Sequence, residues 1–159
     1  MIDRDEQAIL CNRFLVMAKR EMGTRETPGS VNTARIQEYR TARTVKARWW
    51  QIPDEVAWCS DFVGFVMLQA EWTGTGSPKA RSYLKWGQAT STPVLWCVCV
   101  FSRPPIPTQG HVGFYVGEDA THVLVLGGNQ DNAVKIKRYP KTRLLGYRLP
   151  QTPPALAVA

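Results

Sequence analysis

Residues 58–70 are almost wholly apolar, with Cys59, Phe62, Val63, Val66, Met67 and Ala70 at i, i+3, i+4, i+7, i+8 and i+11. That spacing marks one face of a helix. Pro53-Asp54-Glu55 just upstream reads as a lead-in turn, with acids beside the positive end of that helix. A second amphipathic pattern opens the chain. Asp3 and Glu6 fit a capping box, Ala8, Cys11, Leu15, Ala18 and Met22 repeat at 3,4,3,4 spacing, and Gly23 stands at the stop. A shorter helix is predicted within 34–43, and another between Ser77-Pro78 and Gly87.

The second half of the chain reads as strands. Val94 to Phe101 is a continuous apolar run, as in a strand buried on both faces. His111–Gly117, His122–Leu126, Ala133–Tyr139 and Leu144–Leu149 follow as an antiparallel meander with short, turn-rich connections. Helices first and strands after predict an α+β fold, with the sheet packed on the cysteine helix. The length suits one core, so 1–149 is predicted as a single domain and proline-rich 150–159 as a flexible tail.

Composition changes this picture in two ways. A net charge of +7 favours anionic partners, although the basic residues are scattered and are equally well read as solvated faces. Cys11, Cys59, Cys97 and Cys99 form no paired-loop framework, which suits a reducing compartment. Met1-Ile2-Asp3-Arg4-Asp5-Glu6 is not signal-peptide chemistry, and no apolar run is long enough to span a membrane. The expectation is a monomer made in the cytoplasm.

The candidate chemistry centres on Cys59. A cysteine at a helix N-terminus is favoured as thiolate by the dipole and free N–H groups. Gly110-His111-Val112-Gly113-Phe114 supplies a base at a strand start, with Gly113 leaving room for the helix end to approach. His122 is the competing base and reads as surface. A polar group on the other imidazole nitrogen would set tautomer and orientation. Asn129 is the candidate, although a turn role after Gly127-Gly128 competes closely. The N–H of Cys59 forms part of an oxyanion hole. Glu26, Tyr39, Trp58 and Gln130 are candidate substrate contacts, each also open to a packing or surface role. Attack on an amide carbonyl would pass through a thioester that water then hydrolyses.

These residues resemble the CHAP and NlpC-type cysteine peptidases, and more closely a small phage and prophage branch of that superfamily. Glu26-Thr27-Pro28-Gly29, Asp54-Glu55-Val56-Ala57-Trp58-Cys59, Gly110-His111-Val112-Gly113-Phe114, Gly127-Gly128-Asn129-Gln130 and Leu145-Gly146-Tyr147-Arg148 match its motifs in order. The resemblance implies a papain-like core with Cys59 as nucleophile, His111 as base and Asn129 as third member. It also implies peptidoglycan as substrate, cleaved at a muramoyl–L-alanine amide or a stem-peptide bond by an endolysin-like enzyme without cofactor. Such an enzyme would reach the wall through a holin or a secretion or injection system, and its basic surface could hold anionic envelope polymers. The chain departs from the family at Leu95-Trp96-Cys97-Val98-Cys99, where a Gly-Asp turn is usual, and at Gly127, where many CHAP sites carry glutamate.

Four rivals remain at this level. An injected antibacterial amidase toxin would share the chemistry, and transglutaminase-like acyl transfer would share the scaffold. A zinc site from Cys97, Cys99, His111 and His122 lacks the usual spacing. A basic nucleic-acid-binding module has tryptophans for stacking but no recognised motif, and nucleic acid is not the expected partner.

Overall fold

The computed structural model describes residues 2–42 and 56–151. The predicted lead-in turn at Pro53-Asp54-Glu55 lies outside them. Helix α1 spans Arg4–Arg20. Its capping box is formed: the Asp3 carboxylate accepts from the Glu6 N–H, and the Glu6 side chain accepts from the Asp3 N–H. Helix α2 (Ala34–Tyr39) runs into a 3-10 turn at Arg40–Ala42, and α3 spans Cys59–Gln69. The proline-led helix predicted from Ser77 is instead a 3-10 helix at Ala80–Lys85. Its Tyr83 is buried, with the hydroxyl so close to Gly74 that a Cβ there would lie 2.5 Å from it.

Six antiparallel strands form one sheet: β1 (Gln88–Thr90), β2 (Val98–Ser102), β3 (Gly110–Glu118), β4 (His122–Gly127), β5 (Lys135–Pro140) and β6 (Leu144–Leu149). The spatial order is β1-β6-β2-β3-β4-β5. The meander prediction holds for β3–β4–β5 and fails for β6, which crosses back to pair with β2. The apolar run from Val94 begins as a turn, with Trp96 at φ +68°, and becomes strand only at Val98. β1 carries no apolar pattern; it pairs with β6, and its Gln88 side chain accepts from the Gln7 amide of α1.

The sheet packs on the helices through aromatic rings. Phe114 on β3 meets Phe14 of α1 at 5.8 Å and Phe62 of α3 at 6.4 Å between centroids. Tyr39 lies 5.4 Å from Phe62 and 5.8 Å from Trp58, tying α2 to the start of α3. Cys11, Cys97 and Cys99 are buried and free. This is the α+β, papain-like arrangement expected, with the cysteine helix pinned between α1, α2 and the sheet. Pro150, predicted as tail, is buried, and its carbonyl accepts from Gln7. No described helix is long and apolar enough to cross a membrane.

Candidate active site

Cys59 is the first residue of α3. Trp58 precedes it without a side-chain cap, which leaves first-turn N–H groups for other acceptors. The backbone N–H groups of Val112 and Ser60 lie near enough to the thiol to favour its anion. Val112 follows His111 on β3, so the nucleophile lies against the strand that carries the imidazole. Only 4% of Cys59 is exposed. Burial raises its pKa, the two N–H groups offset part of that rise, and Asp61 in the same helical turn adds to it. The thiolate expected from the helix dipole is thus not the resting form. Desolvation wins.

His111 is equally enclosed, and burial pushes its pKa down to about 4 against the support of Gln130. Arg103, Arg143 and Lys137 lower it further. Its Nε2 lies 2.9 Å from Oε1 of Gln130. The Gln130 amide nitrogen donates to the carbonyls of Val125 and Lys135. Both acceptors demand an N–H, so the Gln130 oxygen faces the imidazole and must accept from it. Neutral His111 therefore carries its proton on Nε2 and presents Nδ1 as the base. Tyr139 stacks on the ring at 4.7 Å and 13°, fixing its plane, and Phe101 stacks on Tyr139 at 5.0 Å.

The orienting amide is thus Gln130, not Asn129. In the β4–β5 connection Asn129, Asp131 and Asn132 have φ of +56°, +49° and +62°. Asn and Asp tolerate that left-handed backbone better than other side chains do. Asn129 shapes the turn, and no side-chain hydrogen bond joins it to His111 among the described residues. Gln130 is the one member of Asn-Gln-Asp-Asn outside that pattern, a sequence signal that could have singled it out. Gly127 and Gly128 are sterically required. A Cβ at Gly127 would lie 2.8 Å from the Gln130 oxygen, and one at Gly128 2.6 Å from the Trp58 ring. The first contact explains why no glutamate occupies position 127.

The expected substrate contacts take other places. Tyr39 is fully buried, and its hydroxyl donates to Glu21, so it packs α2 rather than facing a ligand. Trp58 is also fully buried and donates its indole N–H to Glu26 at 2.8 Å. Glu26 is in turn bound through its own N–H to the Asn132 carbonyl. This pair staples the segment before α2 to the β4–β5 turn. Gln130 is 1% exposed and spent on His111 and two carbonyls. Gly113 makes room for Val125 of β4 rather than for α3. His122 lies at the far end of β4 from Gly127, beside Thr121 and Asp119. Cys99 donates to the Gly113 carbonyl at 3.5 Å, and the four residues of the zinc alternative do not converge. Tyr139 carries no local signal of this role, because the β3–β4–β5 pairing is what brings it to His111.

No family model matches the chain, and no curated protein matches it. Solved structures are similar to it, two of them as follows. One is the Resuscitation Promoting Factor Interacting protein RipA in a form mutated at a histidine: TM-score 0.57, 13% identity, 94% of this chain and 67% of that one covered. The other is Rv1477, a hypothetical invasion protein of Mycobacterium tuberculosis: TM-score 0.55, 14% identity, 95% and 65% covered. The chain spans about two thirds of the length of each. The likeness is one of fold.

Proposed function

We propose that the chain is a cysteine-dependent hydrolase that cleaves an amide bond of bacterial peptidoglycan. The observation that carries this is the Gln130–His111 bond, which leaves Nδ1 available as base on the strand against which the Cys59 helix packs. Nδ1 takes the thiol proton as sulfur attacks the carbonyl, so the buried ion pair forms only as chemistry begins. The Gln130 oxygen continues to accept Nε2–H and so stabilises the imidazolium. The Cys59 N–H, in the uncapped first turn, donates to the oxyanion. Imidazolium then protonates the leaving amine, and the same nitrogen activates water against the thioester.

Peptidoglycan as substrate rests on the motif resemblance, together with the NlpC-type fold. The reading includes a lysin-like role, with action on the wall after release from the cytoplasm. Mass spectrometry of sacculi digested by wild type and by Cys59→Ala tests it. Wild type should release fragments with a new amine and a new carboxylate at one amide bond, and the variant none. Equal release by both would overturn the nucleophile assignment.

A further inference from the structure

We propose that Arg103, supported by Arg143, forms a carboxylate-binding subsite beside His111, selecting substrates with a free carboxylate next to the scissile amide. The proposal rests on the hydrolase reading and adds what the site recognises.

The placement follows from the strand register. Phe101 pairs with His111 and Ser102 with Gly110, and the Arg103 N–H continues the ladder to the Gln109 carbonyl at 3.3 Å. Residues 101 and 103 share a face, so Arg103 is the diagonal neighbour of His111 on the imidazole's side of the sheet. Its side chain is exposed and has no acidic partner among the described residues. Arg143 reaches the same place from the start of β6. Its Nε and Nη2 donate to the Ser102 carbonyl at 2.9 and 2.7 Å, and its guanidinium lies 5.7 Å over Tyr139, the ring stacked on His111.

Other cations nearby have partners: Arg81 gives its Nε to the Gln109 carbonyl at 2.9 Å. Lys135 and Lys137 pair with Asp131, Arg138 with Asp119, and Lys141 with Glu118. Arg103 and Arg143 have no acidic partner among the described residues, and the charge of Arg103 acts on both the Cys59 thiol and His111. Guanidinium matches carboxylate in planar, two-point geometry. Stem peptides of peptidoglycan offer such carboxylates beside their amide bonds.

Alkylation of Cys59 tests the subsite without requiring turnover. Iodoacetate carries a carboxylate and iodoacetamide does not, so their rate ratio cancels any change in thiolate fraction. The ratio at Cys59, read by peptide mass spectrometry, should exceed that of the same cysteine in the urea-unfolded chain. In Arg103→Gln it should fall by roughly threefold to tenfold. A second arm compares a muropeptide bearing the free carboxylate with its carboxamide form. Wild type should prefer the free acid, and Arg103→Gln should narrow the preference through KM. An unchanged alkylation ratio, or equal cleavage of acid and amide by wild type, overturns the subsite. A normal ratio shift with no muropeptide cleaved would instead overturn peptidoglycan as substrate and leave the anion site standing.

Discussion

At the scale of single residues, the site turns on which amide meets the imidazole. Gln130 satisfies His111 Nε2 and two carbonyls together, so Gln130→Ala frees the tautomer and strands buried acceptors. It should lower kcat by roughly 10- to 100-fold and cost about 1–3 kcal/mol of stability. Asn129→Ala removes only tolerance of a left-handed backbone, so it should cost about 1 kcal/mol and leave kcat nearly intact. Steady-state kinetics with urea melts on both variants would check the pair. Loss of kcat at Asn129 with retention at Gln130 would restore the sequence-based assignment.

At the scale of elements, the start of α3 is held from three sides. The β4–β5 turn presses Gly128 against Trp58 and Phe62. Glu26 holds the Trp58 indole. From below, Arg40 lies 3.5 Å from Asp61 with both side chains buried, and its other guanidinium nitrogen donates to the Val56 carbonyl. A methyl group at 128 has no space against the Trp58 ring and the Phe62 Cβ, which flank Cys59 at the start of α3. Gly128→Ala should therefore cost about 1–3 kcal/mol and misplace Cys59 relative to His111. The expected readout is a lowered urea midpoint and a kcat loss larger than the surviving folded fraction explains. A variant of normal stability and activity would show that α3 can retreat from the turn.

At the scale of the whole molecule, enclosure of the site couples chemistry to stability. Burial holds the His111 pKa at about 4, below its ordinary 6.5, so the unfolded chain takes a proton that the folded chain refuses. The stabilising contribution is complete above pH 6.5 and is lost as pH falls toward 4. By linkage it amounts to about 3 kcal/mol. Glu21, Asp119 and Asp131 have lowered pKa values, so their contributions fade only below their ordinary range, under the histidine window. Urea midpoints should drop between pH 7 and pH 4.5, and His111→Asn should flatten that drop. Parallel curves for the two proteins would mean that the imidazole titrates freely.

Much of this was legible in the chain itself. Periodicity marks α1 and α3, the capping box closes as written, and Cys59 at a helix start and His111 at a strand start stand where the pattern puts them. These are local features, set by backbone geometry and side-chain spacing within a few residues. Tertiary structure decided what depends on distant partners. β6 leaves the meander to pair with β2, and β1, which has no apolar pattern of its own, forms on its edge. Gln130 rather than Asn129 meets His111, because three left-handed Asx residues turn the chain around it. Tyr139 reaches the imidazole across two strands. The resting charge of the site was decided the same way: a helix dipole can be read from sequence, but the desolvation that outweighs it exists only once the core has closed.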